Sequence, residues 1–401
     1  MVKNINNNNK NGVKGMKKSF FIILFIILSL GIVFSPFKTE NMVFASEDIN
    51  VSSKSALLYD EKSGTVIYEK NGDKRLPIAS MTKLASLVVI FEEIEKGMFT
   101  EDSVVRVSSF AAETEGSSAF LDEGSEYKVS DLIMSVIIAS ANDSTVALAE
   151  FVAGSEDNFV KMMNKKANEL GLENTNFMNS TGLTVIDHYS SARDIAKIYT
   201  EICDNKIYKK YSKIWMTQLV HPSGRKTDLV NTNRLVKIYE GCDCGKTGFT
   251  NDAGFCLASS ATRGGMRLIS VVIGAVDSKT RFDETIKLFN YGFNNYENKQ
   301  VFSRYKEVGE TKVVGGLVEK VCVYPENDFV KFLKKGEIFD YKLEVNTNEI
   351  KAPKDVGERV GKLYVLDKNN IVVHEDYLVI NEEIKALTLA DILKKIYKDY
   401  N

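Results

Sequence analysis

The sequence predicts an α+β fold, in which an antiparallel sheet carries a helical subdomain and is followed by a small all-β domain. Three observations support this fold class. Strand-like runs open and close the region from about residue 56 to residue 296, and helical patterns fill its middle. From about residue 298 short alternating runs are separated by turn residues. Strands and helices that are segregated along a chain favour an antiparallel sheet with its helices grouped together.

The beginning of this region predicts a hairpin followed by a helix. Two β-rich runs, 56–59 and 65–68, flank a turn-forming segment at 61–64. From residue 84 to residue 96 the apolar side chains recur at helical spacing, and Gly97 follows as a stop. The chain therefore returns from two paired strands into an apolar helix.

The middle and end of the region are predicted from the same signals. Helices are expected at 131–139, 144–152 and 157–170, the last with Ser155 as its N-cap. Strands are expected at 253–260 and 267–276, with a glycine turn between them and a closing helix at 280–296. Short runs at 312–314, 317–324, 341–345, 362–366 and 371–373 predict the small β domain.

The first 45 residues have the three parts of a signal peptide. A basic start is followed by an apolar run at 20–34, and Ala45 provides the small residue before cleavage. The run is shorter than the ~20 residues that a membrane span needs, although an uncleaved anchor is the alternative. Either interpretation predicts an exported protein at the outer face of the cytoplasmic membrane or in the cell wall.

Composition argues against several classes of partner. The formal net charge is −2, so no basic excess indicates nucleic acid. An odd count of 5 cysteines does not suggest a disulfide scaffold. Cys242 and Cys244 lack the CxxC spacing of a zinc site, and the 3 histidines do not pair at helical ligand spacing. We therefore expect buried free thiols, no metal and no cofactor.

The first candidate for chemistry is the motif of Ser80 and Lys83 at the start of the apolar helix. Residues three apart lie on one helix face, so the lysine can reach the serine hydroxyl. A deprotonated lysine can act as the base that a serine nucleophile needs, and burial beside another positive charge favours the neutral amine. The alternative is a capping serine beside a surface lysine.

Two further motifs are weak signals alone and are considered together with the first. Ser140 and Asn142 lie at a helix end, where they either face a ligand or form a turn. Lys246, Thr247 and Gly248 enter a β-run, where a cation and a hydroxyl suit a carboxylate and glycine permits close approach. The segment 241–247 resembles a phosphate loop. We reject that alternative because only three residues separate its glycines and a strand follows.

In this order the three motifs resemble those of the low-molecular-mass penicillin-binding proteins, the serine-type D-Ala-D-Ala carboxypeptidases related to β-lactamases and transpeptidases. The resemblance extends over roughly residues 46 to 380, and Ala141 departs from the glycine that is usual in the family. Further similar segments lie at 77–83, 179–183, 188–194, 231–235 and 253–256. The resemblance implies a catalytic domain at 46–297 and a β-rich domain at 298–381.

The resemblance also assigns a role to each motif residue. It implies that Ser80 is acylated and that Lys83 accepts its proton. Ser140 would relay a proton to the leaving amine, and Asn142 would hold the substrate amide.

For the third motif, the resemblance implies that Lys246 and Thr247 bind the terminal carboxylate of the substrate. Lys246 would also keep Lys83 neutral by repulsion. The backbone N–H groups of Ser80 and Phe249 would form the oxyanion hole.

The implied function is removal of the terminal D-alanine from peptidoglycan peptide stems, with inhibition by β-lactam antibiotics. A β-lactamase is one alternative, but neither Glu169 nor Glu173 lies in the Glu-x-x-Leu-Asn pattern. A non-catalytic peptidoglycan-binding protein is another. A triad of His188 and Asp194 with a serine is disfavoured because no Gly-x-Ser-x-Gly elbow is present.

The last segment, 382–401, predicts an amphipathic helix over residues 384–400 that binds the membrane surface. The apolar residues form one stripe, and the lysines lie off it. The stripe comprises Leu389, Ile392, Leu393, Ile396, Tyr397 and Tyr400. A helix that packs on its own β domain is the alternative.

Overall fold

The computed structural model describes residues 49–399, so the predicted signal peptide lies outside the described residues. The strands, numbered in chain order, are β1 (Ser55–Asp60), β2 (Val66–Lys70), β3 (Val104–Arg106), β4 (Glu126–Lys128), β5 (Met216–Val220), β6 (Lys226–Val230), β7 (Cys242–Thr250), β8 (Gly254–Arg263), β9 (Met266–Ala275), β10 (Tyr296–Phe302), β11 (Gly309–Val314), β12 (Lys320–Pro325), β13 (Phe329–Lys334), β14 (Tyr341–Thr347), β15 (Ile350–Lys351), β16 (Arg359–Asp367) and β17 (Val372–Val379).

A short 3₁₀ helix, Ala79–Thr82, precedes the first α-helix. The α-helices are α1 (Lys83–Glu95), α2 (Ser109–Ala112), α3 (Val129–Ile138), α4 (Asn142–Ala153), α5 (Glu156–Glu169), α6 (Ala192–Cys203), α7 (Lys206–Ser212), α8 (Leu235–Ile238), α9 (Ser278–Asn295) and α10 (Leu389–Asp399).

A five-stranded antiparallel sheet, in the order β2-β1-β9-β8-β7, forms the centre of the first part. Its alternate side chains enter two different cores, as the pleat of a strand requires. Ile269 and Val271 join the core under α1 and α3–α6, whereas Leu268 and Val272 pack beneath α9. Because both faces are covered, β9 is buried along its whole length. The predicted antiparallel sheet with grouped helices is confirmed.

The helix ends follow the local sequence. Ser155 accepts a hydrogen bond from the N–H of Asn158, which confirms it as the cap of α5. Gly154, which ends α4, has a φ of 76° that a side chain would disfavour. This cap fixes the short turn between α4 and α5, two helices that pack against α1.

The second part of the chain is all β, as predicted. Six strands form one sheet in the order β14-β16-β17-β12-β11-β15, and β10 pairs with β13 in a separate ribbon. Val323, Leu363 and Leu378 lie in its own apolar core. Tyr296 stacks on Phe332 with ring centroids 5.1 Å apart, and both rings belong to the core beneath α9. The ribbon of β10 and β13 therefore joins the all-β part to the core beneath α9.

The predicted start of the last helix is wrong. The helix begins at Leu389 and not at residue 384. Ile384 is 1% exposed in the core of the β part, and it pairs with Lys354 in a β-bridge. The sequence predicted a helix from residue 384, but the Ile384 side chain instead belongs to the apolar core of the β part. In the part of the chain that the structure describes, no helix is long and apolar enough to cross a membrane.

The cysteines agree in part with the expected buried thiols. Cys203, Cys244 and Cys256 are buried, whereas Cys242 and Cys322 are only partly buried, and all five are free. Burial raises the pKa of the Cys203 and Cys242 thiols to about 12. These two thiols are therefore protonated and unreactive near neutral pH.

Candidate active site

The 3₁₀ helix places Ser80 directly before α1, whose first residue is Lys83. The Lys83 Nζ donates a hydrogen bond to the Ser80 Oγ at 2.9 Å. Ala79 has a φ of 48°, a left-handed conformation that costs an L-residue about 1–2 kcal/mol. The surrounding packing must hold this backbone, and the result is a serine presented to a lysine one helical turn away.

Lys83 is fully buried at the base of α1. Its Nζ also donates to the carbonyl oxygen of Thr181 at 2.8 Å. Burial holds the pKa of Lys83 well below its usual value, and the charge of Lys246 lowers it further while Asp143 opposes the shift. A neutral amine beside a serine hydroxyl can accept the hydroxyl proton.

A second lysine and serine meet across the site. Lys246, on β7, donates from its Nζ to the Ser140 Oγ at 2.7 Å and to its neighbour's carbonyl, that of Thr247, at 2.9 Å. Burial lowers the pKa of Lys246 to about 7, and the charge of Arg281 adds to the effect. Within residues 49–399 neither Lys83 nor Lys246 forms an ion pair with a carboxylate. The pocket therefore offers positive charge to an anion from outside.

Ser140 and Asn142 lie at the junction between α3 and α4, as the sequence predicted. Ser140 adopts a φ of 63°, which turns the chain between the two helices. The Asn142 Nδ2 donates to the Glu115 carbonyl at 2.5 Å, but its Oδ1 is buried and accepts no hydrogen bond from the described residues. A buried acceptor without a donor is costly, so this oxygen is suited to an N–H group of a ligand.

Gly248 brings β7 against the backbone of Ser80. A Cβ atom built on Gly248 would lie 2.7 Å from the Ile78 carbonyl and 3.1 Å from the Ser80 nitrogen. Only glycine permits this approach, which sets the strand beside the Ser80 backbone N–H. Thr247 is 5% exposed, and the next side chain, Phe249, is 51% exposed with its ring centroid 4.3 Å from that of Phe255. The structure thus brings the third motif next to the first.

The rejected histidine alternative finds no support in the geometry. The His188 Nε2 lies 2.8 Å from the Thr82 Oγ1, and its Nδ1 accepts from the Met178 N–H at 3.1 Å. Asp194 instead accepts from the Asn174 N–H and the Thr175 hydroxyl. His188 therefore braces the turn beneath Ser80 and is not paired with Asp194.

Sequence reasoning missed two residues that shape the site. Asp143 accepts hydrogen bonds from the N–H groups of Ala119 and Leu121, which fixes the loop beside Asn142. Arg281, near the start of α9, donates to the Gly248 carbonyl at 3.1 Å. No motif or spacing marks either residue, because each acts on a backbone group far away in the sequence.

Two family models match the chain. The model of D-alanyl-D-alanine carboxypeptidase matches residues 41–277. The chain belongs to the D-alanyl-D-alanine carboxypeptidase family. A second model, the C-terminal domain of penicillin-binding protein 5, matches residues 296–386. These findings confirm the resemblance to the low-molecular-mass penicillin-binding proteins and establish this carboxypeptidase homologue as a serine hydrolase.

Relatives extend over nearly the whole chain. The D-alanyl-D-alanine carboxypeptidase DacF of Bacillus subtilis is 38% identical over 387 residues, which cover 96% of this chain and 99% of that protein. DacD of Escherichia coli is 33% identical and covers 85% of this chain and 89% of its own length. The crystal structure of penicillin-binding protein 5 from Haemophilus influenzae matches 85% of this chain and 100% of that chain, with a TM-score of 0.69 and 31% identity.

Gly182 offers a direct test of how the site is held. Its φ is 87°, and a Cβ atom there would lie 1.9 Å from the Ala79 carbonyl. We expect Gly182→Ala to push Ala79 and Ser80 out of place and to slow labelling by a fluorescent penicillin about a hundredfold, the cost of a misplacement of about 1 Å. Labelling rates and thermal unfolding would be measured together.

Gly224→Ala is the matched control. Gly224 has a φ of 83°, but nothing lies within 4 Å of the position that a Cβ atom would take there. This variant should lose about 1–2 kcal/mol of stability through the left-handed backbone alone and keep its labelling rate. Equal labelling rates in both variants would contradict the role of Gly182.

Proposed function

We propose that this carboxypeptidase homologue removes the terminal D-alanine from peptidoglycan peptide stems through an acyl-enzyme on Ser80. The observation that carries the proposal is the pair of contacts between buried lysines and serines. Lys83 meets Ser80 at 2.9 Å, and Lys246 meets Ser140 at 2.7 Å. One pair supplies a base and a nucleophile, and the other supplies a cation and a hydroxyl.

The first step is attack on the peptide carbonyl before the last D-alanine. Neutral Lys83 takes the Ser80 proton as the Oγ forms a bond to the carbonyl carbon. The developing oxyanion is held by the backbone N–H groups of Ser80 and Phe249. One such donor is worth about 3–4 kcal/mol in a hydrolase.

The second step breaks the C–N bond of the intermediate. The Ser140 hydroxyl gives its proton to the leaving amine, and the Lys83 ammonium gives a proton to Ser140 in its place. D-alanine therefore leaves as a neutral amine. Water then attacks the ester of Ser80, with Lys83 taking the water proton and returning a proton to the serine oxygen. The enzyme is restored and the shortened stem is released.

The position of the substrate follows from the buried polar groups that lack an acidic partner or a hydrogen-bond donor among the described residues. Lys246 and Thr247 bind the terminal carboxylate, because Lys246 is buried without an acidic partner among the described residues. The Asn142 Oδ1, which lacks a donor, accepts the substrate amide N–H. The reacting carbonyl then lies between Ser80 and the β7 backbone.

Two alternative functions have less support. A β-lactamase would need a glutamate to activate the hydrolytic water, but Glu169 is half-exposed and paired with Lys166 at 3.0 Å. A non-catalytic wall-binding protein would have no need for a depressed lysine pKa beside a serine.

We propose export by a signal peptide at 1–45, a catalytic domain at 46–297 and a β-rich domain at 298–381.

The first test concerns Ser80. Ser80→Ala should lower D-alanine release from a pentapeptide ending in D-Ala-D-Ala by about 10⁶-fold, the loss seen when a serine hydrolase loses its nucleophile. Penicillin should form a stable adduct that mass spectrometry locates on the peptide from Pro77 to Lys83. The exposed Ser63→Ala variant serves as the control. Rapid turnover of penicillin, or an adduct on another serine, would contradict the proposal.

The second test uses pH. The charge of Lys246 helps to lower the pKa of Lys83, so Lys246→Gln should let the Lys83 pKa rise. Acylation needs neutral Lys83. The acid limb of the plot of acylation rate against pH should therefore move to higher pH in the Gln variant. Lys246→Arg keeps the charge and should leave the limb in place. The acylation rate would be followed from acidic to alkaline pH, and an unmoved limb in Lys246→Gln would rule out this coupling.

We also propose that α10 binds the membrane surface. Its apolar side chains are exposed, with Leu389, Leu393 and Ile396 at 74%, 59% and 51%. Thr388 and Asp391 cap its start by exchanging hydrogen bonds. An exposed apolar stripe on a capped helix supports binding in the headgroup region more than packing on the β domain.

Removal of residues 389–401 should abolish co-sedimentation with anionic vesicles and leave D-alanine release intact. The cut must spare Ile384, which is buried in the β core. In the full chain, Leu393→Gln should weaken vesicle binding about tenfold, as expected when a leucine no longer enters lipid. Leu317→Gln, at a residue that is 52% exposed on the β part, is the matched control. Equal binding by the two substituted chains would refute the anchor.

A further inference from the structure

An open cleft of about 760 Å³ lies where α8, the end of β6 and the start of α9 meet. Three cations and three apolar side chains form most of its wall: Arg234, Lys237, Arg281, Trp215, Val230 and Ile238. The motifs of the proposed reaction include none of these residues. The cleft nevertheless adjoins that site, because Arg281 donates to the Gly248 carbonyl.

The cations of the cleft have no counter-charge among the residues that the structure describes. None of the residues that line it is acidic, and across residues 49–399 Arg234, Lys237 and Arg281 form no ion pair with a carboxylate. Arg281 is only 9% exposed, and its Nε is buried without a hydrogen-bond partner among the described residues. The positive charge of Arg234 is close enough to repel that of Arg281. Like charges in a shared cleft are stabilised by an anion that enters it.

The apolar side of the cleft limits which anion fits. The Lys237 Nζ lies 5.1 Å from the centroid of the Trp215 ring, and Val230 and Ile238 are 40% and 63% exposed. A ligand that satisfies both surfaces carries carboxylates next to small apolar groups. A peptide with alanine methyl groups and free carboxylates has this chemistry.

We propose that this cleft binds a second stem peptide through its carboxylates, apart from the stem that reacts at Ser80. The inference rests on the proposed function, since the reacting stem ends at the carboxylate held by Lys246 and Thr247. Any anion beyond that point belongs to another molecule. Arg234 and Lys237 contact its carboxylates, and Trp215 and Ile238 contact its methyl groups.

The chain reports on this cleft directly because Trp215 is its single tryptophan. Protein acylated at Ser80 with penicillin would be titrated with a stem tetrapeptide that has free carboxylates, and tryptophan emission would be followed. We expect a saturable change with this peptide and none with the same peptide fully amidated. An R234Q/K237Q double variant should bind about tenfold more weakly, the loss expected for two exposed ion pairs.

Lys226→Gln removes an exposed cation outside the cleft and should bind as the parent does. An equal response to the amidated peptide would overturn the proposal. So would a response to free D-alanine alone, or to a glycerol phosphate oligomer in place of the peptide. Titration of the unacylated Ser80→Ala variant separates the cleft proposal from the proposed function. A response there without any penicillin adduct in the parent would uphold the cleft and contradict the proposed function.

Discussion

Lys83 and Lys246 are both buried, and within the described residues neither forms an ion pair with a carboxylate. Taking an ammonium group out of water costs several kcal/mol unless other groups replace its hydration. Here each nitrogen donates to one serine hydroxyl and one carbonyl, and burial shifts both pKa values downward. The rest of the fold must supply the free energy that keeps these two side chains inside.

The two lysines also explain why the site lies between the helical part and the edge of the sheet. Lys83 comes from α1, in the helical part, and Lys246 from β7, at the edge of the sheet. Only the packing of helices on the sheet brings them together. Around them the backbone adopts left-handed conformations at Ala79 and Ser140. Such conformations persist where surrounding structure over-determines them, as they do here.

The local parts of this site could be predicted from the sequence. The contact between Ser80 and Lys83 follows from helix geometry, and a turn at Ser140 follows from two flanking apolar helices. The 2.7 Å contact between Lys246 and Ser140 joins residues 106 apart, so no local pattern could supply it. The family resemblance placed both residues in one site, but the contact between them was not predicted. Arg281 and Asp143 escaped notice because they bind backbone groups, which leave no trace in side-chain patterns. The start of the last helix was predicted too early, because nothing in the local pattern shows that Ile384 packs in the core of the β part.

The pKa of about 7 at Lys246 links anion binding to proton uptake. Above that pH the free amine is largely neutral, and a carboxylate that enters the pocket must recruit a proton to be held by charge. Affinity for an anionic substrate therefore falls as pH rises beyond neutrality. Lys83 has the opposite requirement, since it acts only after losing its proton. One protonation state of the pair, with Lys246 charged and Lys83 neutral, satisfies both needs, and the fold favours it by keeping the two ammonium groups close enough to repel.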